Sequence, residues 1–181
     1  AEGGVAQRLT FHPANDQVVA WTPDSQQIVF RTARATPHRD QFLYTVPVSG
    51  GPATQINIGI GALAAISPDG KTIAYNRWST EFRTWKRYRG GTAPDLWIGQ
   101  PDKPETIRRL TQWEGTDDFP MFAGSRLCFL SDRDGRSNIW SCNPDGSDLK
   151  QHTFHKDFDA RWPDNDDSAG DKARIVYMLG A

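Results

Sequence analysis

Four histidines, a scatter of serines and many aspartates are the residue types in this chain that could do acid–base or acyl-transfer chemistry. Acyl transfer needs a nucleophile within hydrogen-bond reach of a base. His12, His38, His152 and His155 each fall in a turn or at the end of a repeat unit. No Gly-x-Ser-x-Gly occurs, and Ser67, Ser131 and Ser147 lie in turns or at strand ends beside Asp and Pro. These residues read as turn and edge positions, and none is assigned a catalytic role. His152-x-x-His155 is shorter than the helical zinc spacing and has no supporting Cys. The segment Asp164-Asn165-Asp166-Asp167-Ser168-Ala169-Gly170-Asp171 has the look of a calcium loop, but its Gly comes one place late and the twelfth position is not Glu. It reads as an enlarged turn, with weak cation binding at the surface left open. No metal site and no cofactor is predicted.

One segment concentrates a different chemistry. Arg83, Lys86, Arg87 and Arg89 interleave with Phe82, Trp85 and Tyr88 and run into Gly90-Gly91. Charge alternating with rings can grip nucleic acid. The chain as a whole carries 21 Lys+Arg against 22 Asp+Glu, which argues against a nucleic-acid partner. Two readings stay open. Tyr88 and the guanidiniums either close a channel mouth and touch peptide carboxylates, or the loop packs between strands and against a neighbouring domain. Gly90-Gly91 fits both, because it lets the backbone pass close to something. Trp85, Arg87, Tyr88, Arg89, Gly90 and Gly91 are the candidate contact residues for a peptide or an adjoining domain.

The elements that must position this segment follow from a repeat. Trp21-Thr22-Pro23-Asp24-Ser25 precedes Gln27-Ile28-Val29-Phe30, and Ile66-Ser67-Pro68-Asp69-Gly70 precedes Thr72-Ile73-Ala74-Tyr75, with the two Pro-Asp pairs 45 residues apart. The slot recurs at Phe122-Ala123-Gly124-Ser125 and at Trp162-Pro163-Asp164. A second marker, Arg8-Leu9-Thr10, returns as Gln55-Ile56-Asn57, Arg109-Leu110-Thr111 and Gln151-His152-Thr153. Leu43-Tyr44, Leu96-Trp97 and Ile139-Trp140 form a third. Short β-branched and aromatic strands between Pro-Asp-Gly turns, four to a period of roughly 40 to 55 residues, are the pattern of a β-propeller blade.

The fold class is therefore all-β: an incomplete β-propeller of four-stranded blades, about three whole and two partial. Residues 1–10 are expected to give the last strand of a preceding blade. Residues 11–57, 58–111 and 112–153 are three blades, and 154–181 the first half of another. The inner strands are predicted near Val18–Trp21, Ala62–Ile66, Asp118–Phe122 and Phe158–Trp162. No apolar run approaches the ~20 residues of a membrane span, and no signal peptide is evident. The opening Ala1-Glu2-Gly3-Gly4 lacks Met, which is consistent with a removed leader or upstream domain. Six blades at this period need about 270 residues, so an open arc or completion by a partner is expected.

Pro-Asp-Gly turns are shared by several bacterial propeller families, TolB among them. More specific is Trp85-Lys86-Arg87-Tyr88-Arg89-Gly90-Gly91-Thr92 followed by Asp95-Leu96-Trp97-Ile98. This resembles the Trp-Lys-x-Tyr-Arg-Gly-Gly-Thr segment in the N-terminal six-bladed propeller of tricorn proteases. Arg126–Gly135 and Asp145–Thr153 resemble the hairpin and the end of that propeller's fifth blade. The resemblance covers essentially the whole chain and implies the later two-thirds of the six-bladed propeller. In that family a second propeller, a PDZ-like domain and a serine–histidine catalytic region follow, and the propellers act as channels for peptides. None of those parts occurs in these 181 residues. The family's Arg-Arg pair that anchors a substrate's C-terminus would fall at Thr10–Asp16, which has no such pair, and Arg108-Arg109 ends a blade instead.

The resemblance implies a non-catalytic propeller segment of a serine peptidase, walling a channel or scaffold for peptides. Its partners would be peptides and the parent's other domains, with a homo-oligomer through open blade edges. The alternative is a TolB-like scaffold acting through protein partners. A propeller enzyme with its own site, such as a lyase, is disfavoured by the lack of convergent acid, base and nucleophile. The two cysteines leave cytoplasmic and exported locations both open. With a hairpin centred on Gly135, Cys128 and Cys142 are expected to face each other across adjacent strands as free thiols.

Overall fold

A computed structural model of the chain describes residues 3–37, 40–166 and 173–180. Fourteen strands and no helix occur among them. The first sheet is β1 (Asp16–Trp21), β2 (Gln27–Thr32), β3 (Phe42–Pro47) and β4 (Thr54–Ile60). The second is β5 (Leu63–Ile66), β6 (Ile73–Asn76), β7 (Leu96–Gln100) and β8 (Lys103–Arg109). The third is β9 (Asp117–Ala123), β10 (Arg126–Ser131), β11 (Asn138–Cys142) and β12 (Lys150–Gln151), and β13 (Asp159–Asn165) pairs with β14 (Ile175–Gly180). Every sheet is an antiparallel meander in chain order. The inner strands follow one another, β1 beside β5, β5 beside β9, β9 beside β13. These are the four-stranded blades of a propeller, left as an open series.

The turns form through the side chains that the repeat supplies. Asp24, Asp69 and Asp145 each accept the amide of the residue two places on, at 3.0, 3.1 and 2.8 Å. Ser25, Gly70 and Gly146 take the left-handed backbone at φ 57°, 74° and 94°. Hydrogen bonds from Ser67 and Ser147 hold Asp69 and Asp145 below the usual carboxylate range.

Packing lies between sheets. Leu43 and Ile58 of the first meet Ala64, Ile73 and Tyr75 of the second. Ala74, Leu96 and Ile98 of the second meet Phe122, Leu127, Phe129 and Cys142 of the third. Leu130 and Ile139 meet Ala160. Middle strands such as β6 and β10 are therefore buried on both faces and read as continuous apolar runs rather than alternating ones.

Each complete blade also carries a device that the repeat did not disclose. A ring on the second strand pairs with one on the third: Phe30 with Tyr44, Tyr75 with Trp97, Phe129 with Trp140. A guanidinium lies over each pair: Arg34 at 5.0 and 5.2 Å, Arg77 at 3.5 Å from the Trp97 ring, Arg133 at 5.6 and 5.0 Å. Arg34 and Arg133 also reach a carboxylate at the start of the inner strand, Asp16 at 2.7 Å and Asp117 at 2.8 Å.

Three sequence expectations differ from the structure. Residues 3–15 form no strand, although Leu9 packs on the Phe30–Tyr44 face of the first blade. A strand needs a neighbour, and among the described residues this segment pairs with none. β4 continues to Ile60, past residue 57, because its pairing with β3 skips from Gln55 opposite Tyr44 to Ile60 opposite Phe42. Finally, Cys142 stands opposite Leu127 and Cys128 opposite Ser141. Ser131 pairs with Asn138, so the hairpin is centred between Asp134 and Gly135 rather than on Gly135. That half-residue shift slips the register by one and puts the two thiols on opposite faces. Both are buried and free.

Candidate functional site

The segment rich in Arg and rings is the connection from β6 to β7, residues 77–95. It is a strap that crosses from its own blade onto the two that follow. Its shape is set internally. The Arg83 amide donates to Thr80 O at 2.9 Å and the Ala93 amide to Gly90 O at 2.9 Å. Arg83 Nη2 donates to Thr92 O at 3.0 Å, and the same guanidinium lies 5.6 Å from the Trp85 ring centre and 6.0 Å from that of Tyr88. The Tyr88 hydroxyl folds back against Gly90, where a Cβ would collide with it.

Its anchors are polar and reach all four sheets. Glu81 binds Arg31 of β2 at 2.5 Å. Thr80 donates its amide and hydroxyl to Asp118 Oδ2 at 2.8 and 2.7 Å. Lys86 and Arg87 grip Asp159 at 2.8 and 3.2 Å, and Arg87 Nε donates to Gly135 O at 2.8 Å. Arg89 binds Asp132 at 2.7 Å, and Asp132 also accepts from Trp113 Nε1 at 2.8 Å and the Thr116 amide at 2.9 Å. Gly115 lets Arg89 lie there, since a Cβ would run into Arg89 and Asp132.

The acceptors are buried, with Asp118 1%, Asp132 5% and Asp159 6% exposed, which makes these anchors specific. Burial works to raise Asp159, but hydrogen bonds from Lys86 and the Ser137 amide, with the Arg87 charge, bring it below the usual carboxylate range. Asp118 is pushed up by burial despite its bonds to Thr80. Arg87 and Arg89, which the channel-mouth reading would leave available to peptide carboxylates, spend their charge on carboxylates of this chain. The large apolar side chains that the strap leaves exposed are Trp78 at 37%, Phe82 at 73%, Trp85 at 58% and Tyr88 at 37%, beside the partly exposed Lys86, Arg87 and Arg89.

Two hollows border it, and a third lies beyond along the inner strands, sharing Phe119 with the first. Trp85, Arg87 and Tyr88 line one of about 100 Å³ between the strap and the third and fourth sheets. Arg89, Gly90 and Gly91 border another of about 340 Å³ with Asp95, Arg109 and Trp113. The largest, about 890 Å³, runs along the inner strands, walled by Val18 and Trp21 of β1, Leu63 and Ile66 of β5, Met121 of β9 and Pro163 of β13.

The folding brings one serine and one histidine together that the sequence did not pair. Ser141 Oγ lies 2.7 Å from His152 Nε2. Ser141 is fully buried and its oxygen also accepts from Arg126 Nε at 2.9 Å. Burial, with the charges of Arg126 and Lys150, pushes His152 down. No carboxylate is hydrogen-bonded to its other nitrogen among the described residues, so the pair lacks both access and an orienting group. His12 Nδ1 accepts the Ala14 amide and His155 contacts the Tyr177 hydroxyl, while His38 lies outside the described residues. Asp167–Asp171 of the acidic segment also lie outside them, and Asp166 binds Arg174 at 2.7 Å. No group of three His, Cys, Asp or Glu among the described residues could hold a metal.

Comparison with known proteins agrees with this architecture. Residues 1–181 match the family model described as the tricorn protease N-terminal beta propeller domain. The chain is 36% identical over 177 residues to tricorn protease homolog 1 of Streptomyces coelicolor, covering 97% of this chain and 16% of that protein. It is 30% identical over 178 residues to the tricorn protease homolog of Saccharolobus solfataricus, covering 98% and 16%. It therefore spans about a sixth of the length of these relatives. Among solved structures, TolB from Acinetobacter baumannii superposes with a TM-score of 0.64 at 19% identity, over 92% of this chain and 41% of that one. The β-propeller domain of the Trilobed protease from Pyrococcus furiosus gives 0.55 at 12% identity, over 92% and 53%. These likenesses show the propeller fold, and the family match over the whole length shows that the chain belongs to the tricorn protease N-terminal β-propeller family.

Proposed function

We propose that this chain is a non-catalytic segment of a tricorn-like serine peptidase and forms part of the wall of a channel that guides peptides. The observation that carries the reading is the cavity of about 890 Å³ walled by inner strands from all four sheets, mostly with apolar side chains. Val18 and Trp21, 68% and 55% exposed, face solvent there with no local packing partner to explain them. A wall that is mostly apolar, with Asp164 its one charged residue among those that line it, gives an extended chain few fixed charges to trap it at one register. The strap, with Trp85, Tyr88 and Gly90-Gly91 outermost, stands at the edge of that channel as its contact with peptide or with another domain of the parent protein.

The test is photo-crosslinking. A nonapeptide carrying a diazirine residue is irradiated with the chain, and labelled positions are mapped by mass spectrometry. Labels on Trp21, Leu63, Ile66 and Met121 are expected, and labels confined to outer strands such as β8 refute the reading. Incubation with fluorogenic peptides and a serine-directed phosphonate should give neither turnover nor labelling. Turnover with one labelled serine would overturn the non-catalytic part.

One observation favours a second reading. Among the described residues β14 pairs with β13 alone, and its Val176 and Met178, on one face, are 68% and 58% exposed. Such an edge supports a scaffold that binds protein partners or another copy of the chain. Light scattering distinguishes a concentration-dependent oligomer from a stable monomer.

A further inference from the structure

The hollow of about 100 Å³ under the strap is built from strained parts. Phe119 and Trp162 are bulky residues held at φ 56° and 44°, a region that such side chains rarely occupy. Both precede a proline, and both sit at a bulge in an inner strand. Phe119-Pro120 stand opposite the single residue Phe129, and Trp162-Pro163 opposite Tyr177. A bulge re-aims a side chain, and strain of this kind collects at ligand clamps. Here the two bulges on successive blades aim two rings at the same hollow, where Trp85 and Tyr88 of the strap meet them. Phe119 also lines the large channel cavity, so the two spaces adjoin at its ring.

The carboxylates around the hollow are already occupied within the protein. Asp159 is held by Lys86 and Arg87, Glu81 by Arg31, and Asp132 by Arg89. Asp118 accepts from Thr80 and from the Phe119 amide. Arg83 bonds Thr92 O, and Arg161 lies over the Trp162 ring at 4.8 Å. Arg83 Nη1 is buried without a hydrogen-bond partner among the described residues. Because every carboxylate in the wall is taken, the hollow offers no free partner to a cationic side chain, and its rings favour an aromatic or apolar one. An apolar cavity of about 150 Å³ holds a benzene ring, so an open-mouthed hollow of about 100 Å³ accepts one ring or one branched aliphatic group and no more.

We propose that this hollow is a subsite for a single uncharged aromatic or large apolar side chain of a peptide, clamped between Trp85 of the strap and the bulge residues Phe119 and Trp162. It rests on the reading that peptides pass along the adjoining channel, and it adds a preference: the strap side of the channel reads one side chain while the inner strands accept any. Burying a phenyl ring in place of a methyl group favours binding by roughly tenfold to a hundredfold.

The experiment uses the 181-residue chain and two small probes, N-acetylphenylalaninamide and N-acetylalaninamide, read by the indole N–H signals of the 7 tryptophans. Saturable shifts confined to Trp85 and Trp162 are expected, at least tenfold weaker for the alanine probe. Trp162→Gly keeps the left-handed bulge while removing the ring, and Trp85→Ala removes an exposed ring from the strap. Each should weaken the phenylalanine probe about tenfold. Absent shifts, shifts scattered over other tryptophans, or two probes within twofold of one another overturn the subsite. Should Trp162→Gly unfold, Trp85→Ala decides. Crosslinking of the nonapeptide to the inner strands is read separately, so loss of the subsite and loss of the channel reading give different results.

Discussion

Replacing Asp159 tests whether the strap fastens the fourth sheet. Its carboxylate is 8% exposed and takes Lys86 at 2.8 Å, Arg87 at 3.2 Å and the Ser137 amide at 3.0 Å. Losing one partner of a fully buried pair costs about 3–5 kcal/mol. Here Lys86 and Arg87 are 37% and 35% exposed, so water recovers much of what Asp159→Ala takes from them. The half-buried Ser137 amide still loses its acceptor, which is worth about 1 kcal/mol. The sum is about 2–3 kcal/mol, or ~4–12 °C of Tm for a chain of this length. Urea unfolding measures it, and Asp159→Asn should recover the Ser137 contribution while still losing the ion pairs. A cycle with Lys86→Ala and Arg87→Ala isolates the coupling. A cost under about 0.5 kcal/mol, or strict additivity with the strap substitutions, would refute the claim that the strap fastens β13–β14.

Acid should act through the same anchor. Burial works to raise Asp159 and Asp16, but both lie below their usual range, Asp159 through Lys86, the Ser137 amide and the Arg87 charge, and Asp16 through Arg34 and the Thr32 and Thr10 hydroxyls. Their stabilisation is complete above the unfolded carboxylate pKa, about 4, and is lost as pH falls through the lower folded values. The difference in urea midpoint between the parent chain and Asp159→Asn should thus be constant from pH 7 to about 5 and shrink below 4. The thiols of Cys128 and Cys142 are pushed up by burial to about 11. Neither should react with a disulfide reagent at pH 8 in the folded chain, both should react in urea, and mild oxidation should form no bridge between them. Arg133→Leu strips the fully buried Asp117 of its guanidinium and should cost about 3–5 kcal/mol by urea unfolding, more than Asp159→Ala.

The parts legible in the sequence are those fixed by local chemistry. A Pro-Asp-Gly turn needs only its own four residues, and the Asp69 and Asp145 bonds close within two. Strand position followed from those turns. Register did not, because it depends on how many residues the 132–137 loop absorbs, and an error of half a residue turns Cys128 to the other face. The strap segment stood out as a cluster of Arg and rings. Its partners lie 38 to 73 residues away, and no spacing rule connects Arg89 to Asp132 or Lys86 to Asp159. The guanidinium over each aromatic pair did leave a trace. Arg34, Arg77 and Arg133 come four, two and four residues after Phe30, Tyr75 and Phe129, an irregular spacing that a strict repeat search passes over.

The strap changes what kind of object the chain is energetically. In a stack of blades each unit touches only its neighbours, so stability is a sum of unit and nearest-interface contributions and the end unit frays first. β13–β14 is such an end, with two strands and exposed Val176 and Met178. A loop rooted in the second blade and bonded to Arg31 behind it, Asp118 and Asp132 ahead, and Asp159 two sheets away adds a contribution that skips a neighbour. Fraying of the last sheet must then break the strap's grip, and loosening the strap must free the last sheet. The same coupling ties the hollow under the strap to the spacing of blades three and four. Its walls belong to three sheets, so an occupant can be held only while the strap keeps those sheets in register.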